Sequence, residues 1–156
     1  MKILRKKIDV KAGKLTFEQR ITLGKIFQSE TDTEAGKFEK VFVCLHDYKP
    51  RVIDYKRLID YFTEIVEGLK FWFEQEKTLL HYMPTMDEVS AGIEDYSKKV
   101  GEFGTVKAIA KQFGCDPDVV LKWEYAKVFG ILYTDLEEFK FQKKFNQVLE
   151  RKYKTR

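Results

Sequence analysis

Two cysteines and two histidines are the side chains of this sequence best suited to bind a metal ion. Cys44 and His46 are separated by one residue, whereas His81 and Cys115 lie far along the chain. Structural zinc sites normally place their ligands in local pairs a few residues apart, and no second pair is present here. Ordinary packing is therefore the expected role of the four residues, and no metal site is predicted.

The same two thiols are the only candidates for a cysteine nucleophile, which needs a base and an orienting acid beside it. Cys44 falls on the apolar face of a predicted helix, and Cys115 falls in a predicted turn between helices. Paired carboxylates recur along the chain, but they lie on predicted helices, where solvated acids are expected. Gly101 and Gly104 lack the strand and the lysine of a phosphate-binding loop. The sequence predicts a protein that is not an enzyme and carries no cofactor.

Residues 105–123 have the pattern of a helix-turn-helix. Ala110 is a small residue at the place where two helices would touch, Gly114 falls in the turn, and Val120 is a β-branched anchor in the second helix. The same spacing is equally explained by two helices that pack closely inside a domain. The segment therefore supports either DNA binding or a structural helix corner.

The residues at the start of the second helix argue against DNA. In a DNA reader these residues enter the major groove. Here Asp116 and Asp118 would place two carboxylates where readers use basic or neutral polar side chains to meet phosphates. DNA binding is kept as the alternative function, and nucleic acid is not the expected partner. The lysines that would serve it are Lys107, Lys111, Lys122 and Lys127.

Length and composition predict one folded domain. The chain has 156 residues, of which 15% are aromatic, enough for a core without disulfides or metal. A net charge of +4 is modest for a dedicated nucleic-acid binder. No apolar run approaches the roughly 20 residues of a membrane span, and the cysteines form no disulfide framework. We expect a soluble cytoplasmic protein without a membrane partner.

Apolar periodicity predicts a mainly α fold, a compact multi-helix domain with a short extended or β N-terminal arm. Residues 1–14 form the arm, which could pair with another chain through an open strand edge. Residues 15–150 form a single helical domain, and residues 151–156 form a basic tail.

Cap residues mark several helix starts. Thr16 with Gln19, and Thr85 with Glu88, have the spacing of a capping box, so helices are expected to begin there. Thr105 is predicted to cap the first helix of the helix-turn-helix segment.

The longest helix is predicted over residues 54–80. Its apolar stripe repeats every three or four residues and is interrupted by Glu76, while Gly68 is its weak point and a candidate bend. Aromatic side chains surround its end, so this part either packs under a second layer of the chain or meets a partner. The stripe consists of Leu58, Phe62, Ile65, Leu69, Trp72 and Leu79.

The last helix is predicted to begin at Asp116 and Pro117, a cap followed by a proline in the first turn. It could continue to the C-terminus or break at Thr134, which repeats the capping-box spacing with Glu137. If it is continuous, its apolar face changes side near residue 140. Leu132, Leu136 and Phe139 then share one face, and Phe141, Phe145 and Val148 share roughly the opposite one.

Four stretches together resemble the tail assembly chaperones of long-tailed bacteriophages. They are LTFEQRITLGKI from Leu15, FWFEQE from Phe71, Pro84-Thr85 with Glu88 and Ala91-Gly92, and DPDVVLKWEY from Asp116. The resemblance implies a small, mostly helical, non-enzymatic protein. Such proteins bind the tape measure protein, recruit tail tube subunits during assembly, and often form oligomers.

Surplus aromatic residues on helix faces favour a protein-interaction function, since aromatics are enriched where interfaces carry binding energy. The expected partners are a tape-measure-like helical protein, a tail tube subunit, and further copies of the chain. The residues predicted to contact a partner are Phe71, Trp72, Phe141 and Phe145.

Overall fold

The computed structural model describes residues 7–49 and 55–154, and within these ranges the chain forms seven helices and no strand. The mainly α expectation is confirmed. In the part of the chain described here, no helix has both the length and the apolar character needed to cross a membrane. The helices are α1 Phe17–Gln28, α2 Glu34–His46, α3 Tyr55–Leu79, α4 Met86–Ser90, α5 Ile93–Phe113, α6 Pro117–Leu121 and α7 Tyr125–Lys154.

Both predicted capping boxes are present. At the start of α1 the Gln19 backbone N–H donates to the Thr16 hydroxyl at 3.2 Å, and the Thr16 N–H donates to the Gln19 side chain at 2.9 Å. Thr85 and Glu88 make the same reciprocal pair at the start of α4. These helices begin where the sequence predicts because each cap is formed by neighbours in the chain.

The predicted cap at Thr105 is wrong, because Thr105 lies inside α5. The irregular position is Gly101, whose φ of 54° and ψ of −151° interrupt the helical backbone. Glycine adopts such a conformation without the steric cost of a side chain. The helix therefore resumes before Thr105 is reached.

The prediction of one long helix from Pro117 is also wrong. The backbone of residues 122–124 leaves the helix and pairs with the N-terminal segment instead. The Phe17 N–H donates to the Trp123 carbonyl at 2.9 Å, and the Tyr125 N–H donates to the Leu15 carbonyl at 2.8 Å. Beyond this point α7 is continuous, and the Thr134 hydroxyl donates to the Gly130 carbonyl without capping a new helix.

Residues 7–16, named here the N-terminal strap, lie across α3 and the start of α7. The Trp72 indole N–H donates to the Val10 carbonyl at 2.7 Å, and the Tyr61 hydroxyl accepts the Ile8 N–H at 2.8 Å. The described part of the predicted arm is thus packed into the helical domain and pairs with its own chain. Residues 1–6 of that arm, and residues 155–156 of the predicted tail, lie outside the described ranges.

The core collects buried side chains from the strap and from six of the described helices. Gly68 of α3 belongs to it, since a Cβ there would lie 2.8 Å from the Lys11 backbone nitrogen. This close approach of two backbones explains the glycine that the sequence offers as a bend. The fully buried side chains of the core are Leu15, Leu23, Val41, Phe42, Tyr61, Ile65, Leu69, Val106, Ile109, Val120 and Val128.

His46 ends α2 inside an aromatic cluster. Its ring lies 5.7 Å from that of Phe42 and 5.6 Å from those of Tyr48 and Tyr61. Its Nε2 atom is buried without a hydrogen-bond partner among the described residues. Burial lowers the pKa of His46 below its ordinary 6.5, against a weaker opposite effect of the Asp47 carboxylate.

His46 should make the fold less stable in mild acid. The unfolded chain binds a proton at His46 more readily than the folded chain does. The contribution of neutral His46 to the free energy of unfolding is thus fully present above the unfolded pKa of 6.5. It is lost as the pH falls toward the folded pKa. We expect urea melts from about pH 7.5 to about pH 5.5 to show this loss, and His46→Phe to reduce it. The exposed His81 provides the control. If His81→Gln, and not His46→Phe, removed the loss of stability between about pH 7.5 and about pH 5.5, the loss could not be assigned to His46.

Gly68→Ala should destabilise the fold by about 2 kcal/mol, because the new methyl group overpacks the contact between α3 and the strap. Gly130→Ala is the matched control, since nothing lies within 4 Å of a Cβ at that helical position. There alanine should raise the free energy of unfolding by about 0.5 to 1 kcal/mol through its higher helix propensity. Equal effects of the two substitutions in denaturant melts would show that the strap does not pack on α3 as described.

Candidate interaction surface

An ion pair between a buried arginine and a partly buried glutamate joins α1 and α3, and a tyrosine of α7 completes it. Arg20 of α1 is only 8% exposed. Its Nε atom donates to Glu76 Oε1 at 2.8 Å, and its Nη2 atom donates to Glu76 Oε2. The Tyr125 hydroxyl donates to Glu76 Oε1 at 2.6 Å. The guanidinium also lies over the Phe73 ring, 4.4 Å from its centroid. We call Arg20, Glu76 and Tyr125 the polar triad.

The triad explains why Glu76 interrupts the apolar stripe of α3. A partly buried carboxylate such as that of Glu76 is tolerated when charged and polar donors satisfy it. Burial, together with the hydrogen bond to Glu76, raises the pKa of Tyr125, so its hydroxyl stays a donor. The triad therefore holds three helices together.

An open cavity of about 280 Å³ lies beside the triad. Its walls are mostly apolar, and the Glu76 carboxylate already accepts three hydrogen bonds from protein donors. Chemistry on a ligand in this cavity would have to break these bonds. The three hydrogen bonds thus make the triad a structural link between helices. The other lining residues are Phe17, Ile21, Leu80, Glu102, Thr105 and Leu132.

The candidate nucleophiles and metal ligands are not brought together. Cys44 is half-buried, and burial, with smaller effects of Glu18 and Asp47, raises the pKa of its thiol to about 11. Such a thiol carries almost no reactive thiolate at neutral pH. Cys115 is half-buried against the core. Within residues 7–49 and 55–154, no group of three or more His, Cys, Asp or Glu side chains is placed to hold a metal ion.

The helix-turn-helix segment forms a packed corner. Ala110 and Val120 are buried, Gly114 turns the chain with a φ of 63°, and the Cys115 N–H donates to the Ala110 carbonyl at 3.0 Å. The sequence spacing is compatible with either DNA binding or close packing of two helices. These contacts are of the second kind.

The second helix of that corner is short and has an acidic start. α6 has five residues, and the Asp116 carboxylate at its start accepts the Asp118 N–H at 2.9 Å. The Lys127 Nζ atom lies 3.6 Å from the Trp123 ring centroid. The lysines of the DNA alternative, Lys107, Lys111, Lys122 and Lys127, are all exposed but lie outside this short helix.

Trp72 is a core residue, which corrects its assignment to a partner surface. It is 7% exposed, and its ring meets those of Tyr125 and Phe129, each at 5.1 Å. The sequence pattern could not separate this role from a surface role, because its packing partners come from distant parts of the chain. Phe71, beside it, is 38% exposed, and the Lys11 Nζ atom lies 5.9 Å from its ring centroid.

Phe141 and Phe145 lie on the surface of α7 and face outward together. They are 62% and 48% exposed, and their rings stack with centroids 6.1 Å apart and an interplanar angle of 16°. Val148 continues the same line and is also exposed. We call these three residues the α7 stripe. In the described structure the stripe and Phe71 share no ring contact.

On the opposite side of α7, Phe139 and Lys143 contact Tyr82, although Phe139 itself stays 46% exposed. The Phe139 ring meets the Tyr82 ring at 5.5 Å, and the Lys143 Nζ atom donates to the Tyr82 hydroxyl at 3.0 Å. Residues two apart on an α-helix point roughly 200° apart, so Phe141 and Phe145 point away from the domain. The change of apolar face near residue 140 is therefore real and occurs in a continuous helix.

Further exposed apolar side chains lie between α3 and the middle of α5. They are Met83, Met86, Val89, Tyr96 and Phe103. The sequence analysis does not predict that these residues are exposed. Their irregular spacing among polar neighbours is the pattern that could have indicated it, because it forms no single apolar face.

Comparison of the chain with protein-family models, with curated proteins and with solved structures finds no match.

Removing the Glu76 carboxylate should strongly destabilise the fold. Glu76→Ala leaves the buried Arg20 guanidinium without its counter-charge, and we expect a loss of about 3 kcal/mol of unfolding free energy. Tyr125→Phe removes one donor and should cost about 1 kcal/mol. The control is Glu64→Ala, which breaks an exposed pair with Lys7 and should change stability by less than about 0.5 kcal/mol. Chemical denaturation measures all three, and similar losses for Glu76→Ala and Glu64→Ala would contradict a buried ion pair.

Proposed function

We propose that this chain is a non-enzymatic interaction protein that acts as an assembly chaperone, of the kind that serves the tails of long-tailed bacteriophages. In this proposal it binds a long helical protein resembling a tape measure protein and brings tail tube subunits to it. The proposal joins the sequence resemblance to a structural observation about α7.

The α7 stripe is the observation that carries the proposal. Phe141, Phe145 and Val148 lie on one side of a helix whose other side is docked on Tyr82. From residue 129 to residue 153 of α7 no side chain is fully buried. A line of exposed apolar groups along a regular helix suits recognition of another helix.

The chemistry of the surface supports a protein partner. Aromatic side chains bring large contact area and are typical of the residues that dominate interfaces. The stripe is flanked by charges of both signs, including Glu138, Lys144 and Arg151. Such a rim favours selective association with another protein. The short, acidic start of α6 does not favour the DNA-binding alternative.

Replacing the stripe should abolish partner binding without unfolding the protein. We expect Phe141→Ser with Phe145→Ser to weaken binding of a purified phage tape measure protein at least about tenfold, because both aromatic anchors are lost. The measurement is co-expression and co-purification, followed by titration calorimetry. Both positions are largely exposed, so circular dichroism should be unchanged.

Phe103→Ser is the matched control. Phe103 is as exposed as Phe141 but lies on α5, and its replacement should leave binding intact. A protein that ignores tape measure and tail tube proteins would refute the proposed function. Equal weakening by both sets of substitutions would show that the α7 stripe is not the contact surface.

A further inference from the structure

Residues 81–100, named here the lid, leave the helical core and return to it at the same place. The lid comprises α4 and the first part of α5. Leu80, just before the lid, and Glu102, just after it, both line the open cavity of about 280 Å³ beside the polar triad. The two ends of the lid are therefore close in space, as in a surface segment that moves on a hinge.

The lid contributes little to the core. Every residue from 81 to 105 is at least partly exposed, whereas the second part of α5 buries Val106, Ile109 and Ala110. A segment with few buried apolar contacts opens at a lower free-energy cost than the core does. The lid can thus open while the second part of α5 stays packed.

Gly101 separates the lid from the packed part of α5. Its φ of 54° and ψ of −151° belong to a region of backbone conformation that is almost confined to glycine. Nothing lies within 4 Å of a Cβ built at this position, so the backbone conformation and not close packing calls for the glycine. At the other end of the lid, residues 81–85 lie outside any helix and include Pro84. Both ends are thus breaks in regular structure.

A cluster of side chains, named here the latch, joins the lid to α7. The Lys143 Nζ atom donates to the Tyr82 hydroxyl at 3.0 Å, and this hydroxyl donates to Glu88 Oε2 at 2.7 Å. The Tyr82 ring meets the edge of the Phe139 ring at 5.5 Å. The side chains of Lys143 and Glu88 are each about one-third exposed, and solvent weakens an ion pair of this kind. The latch therefore holds the lid only moderately.

We propose that the lid opens and closes as a unit about Gly101, and that the latch is its closed contact. Opening separates Tyr82 from Phe139 and Lys143, which exposes more apolar surface on the side of α7 opposite the α7 stripe. It also widens the mouth of the cavity beside the triad, because both ends of the lid line that cavity. The opening does not depend on the proposed function, since it is a motion of the free chain.

Hydrogen exchange of the full chain under native conditions tests the motion through the latch. Lys143→Met should speed the exchange of residues 86–90 and of residues 93–100 by the same factor, about fivefold, because both parts open together. Lys140→Met is the matched control, since Lys140 of the same helix pairs with Glu137, and it should leave these rates unchanged. A faster rate confined to residues 86–90 would show that α4 frays alone and would overturn the proposal.

A substitution in the core shows whether the lid opens without global unfolding. Val106→Ala leaves a cavity in the packed part of α5 and should speed the exchange of Ile109 at least about tenfold. Exchange of residues 86–100 should keep its original rate, because the core is still folded when the lid opens. If both regions accelerated by the same factor, the lid would open only when the whole domain unfolds, and the proposal would fail.

The hinge is tested by placing the two mirror forms of alanine at Gly101. Gly101→Ala should speed exchange of residues 86–100 at least about tenfold, because an L residue is strained in the closed conformation. D-alanine, introduced by ligating synthetic segments at Cys44 and Cys115, should slow this exchange below the rate of the parent. Its preferred backbone is the mirror image of the extended L conformation, which is close to that of Gly101. Equal effects of the two alanines would rule out Gly101 as the hinge.

Discussion

The ion pair between Arg20 and Glu76 is the interaction on which the arrangement of the helices depends. A buried charge has to be matched by a partner at close range, so the pair fixes α1 against α3. The Tyr125 hydroxyl adds the first turn of α7 to the same carboxylate. The N-terminal strap packs beside them, against Trp72 and Gly68 of α3.

Because the start of α7 is held in place, the direction of the helix determines which side chains of its C-terminal half are exposed. The helix leaves the core after Val128, docks one side on Tyr82, and carries Phe141 and Phe145 on the other. A rigid base with an exposed apolar helix suits a protein that binds partners. Chemistry at Cys44 is disfavoured, since its thiol is half-buried with a raised pKa. The proposed interaction function thus draws on both the exposed α7 stripe and the sequence resemblance.

Local signals in the sequence predict those parts of the fold that depend on neighbouring residues. Thr16 and Thr85 cap helices as expected, because their partners lie three residues away. The sequence shows Glu76 as a charged residue within an apolar stripe. It does not show the partner, because Arg20 lies 56 residues away and no local pattern links the two. The break before Tyr125 arises from backbone pairing with Leu15, and the burial of Trp72 from contacts with α7. Both depend on contacts between distant parts of the chain, and periodicity alone cannot reveal them.

Hydrogen–deuterium exchange of α7, with and without a purified tape measure protein, tests most directly whether the α7 stripe is a binding surface. Residues 137–152 should exchange more slowly in the complex, because a bound partner suppresses local opening of the helix. The protected core around Val106 and Ile109 should exchange at its original rate. Slower exchange elsewhere on the surface, with residues 137–152 unchanged in a proven complex, would contradict the account.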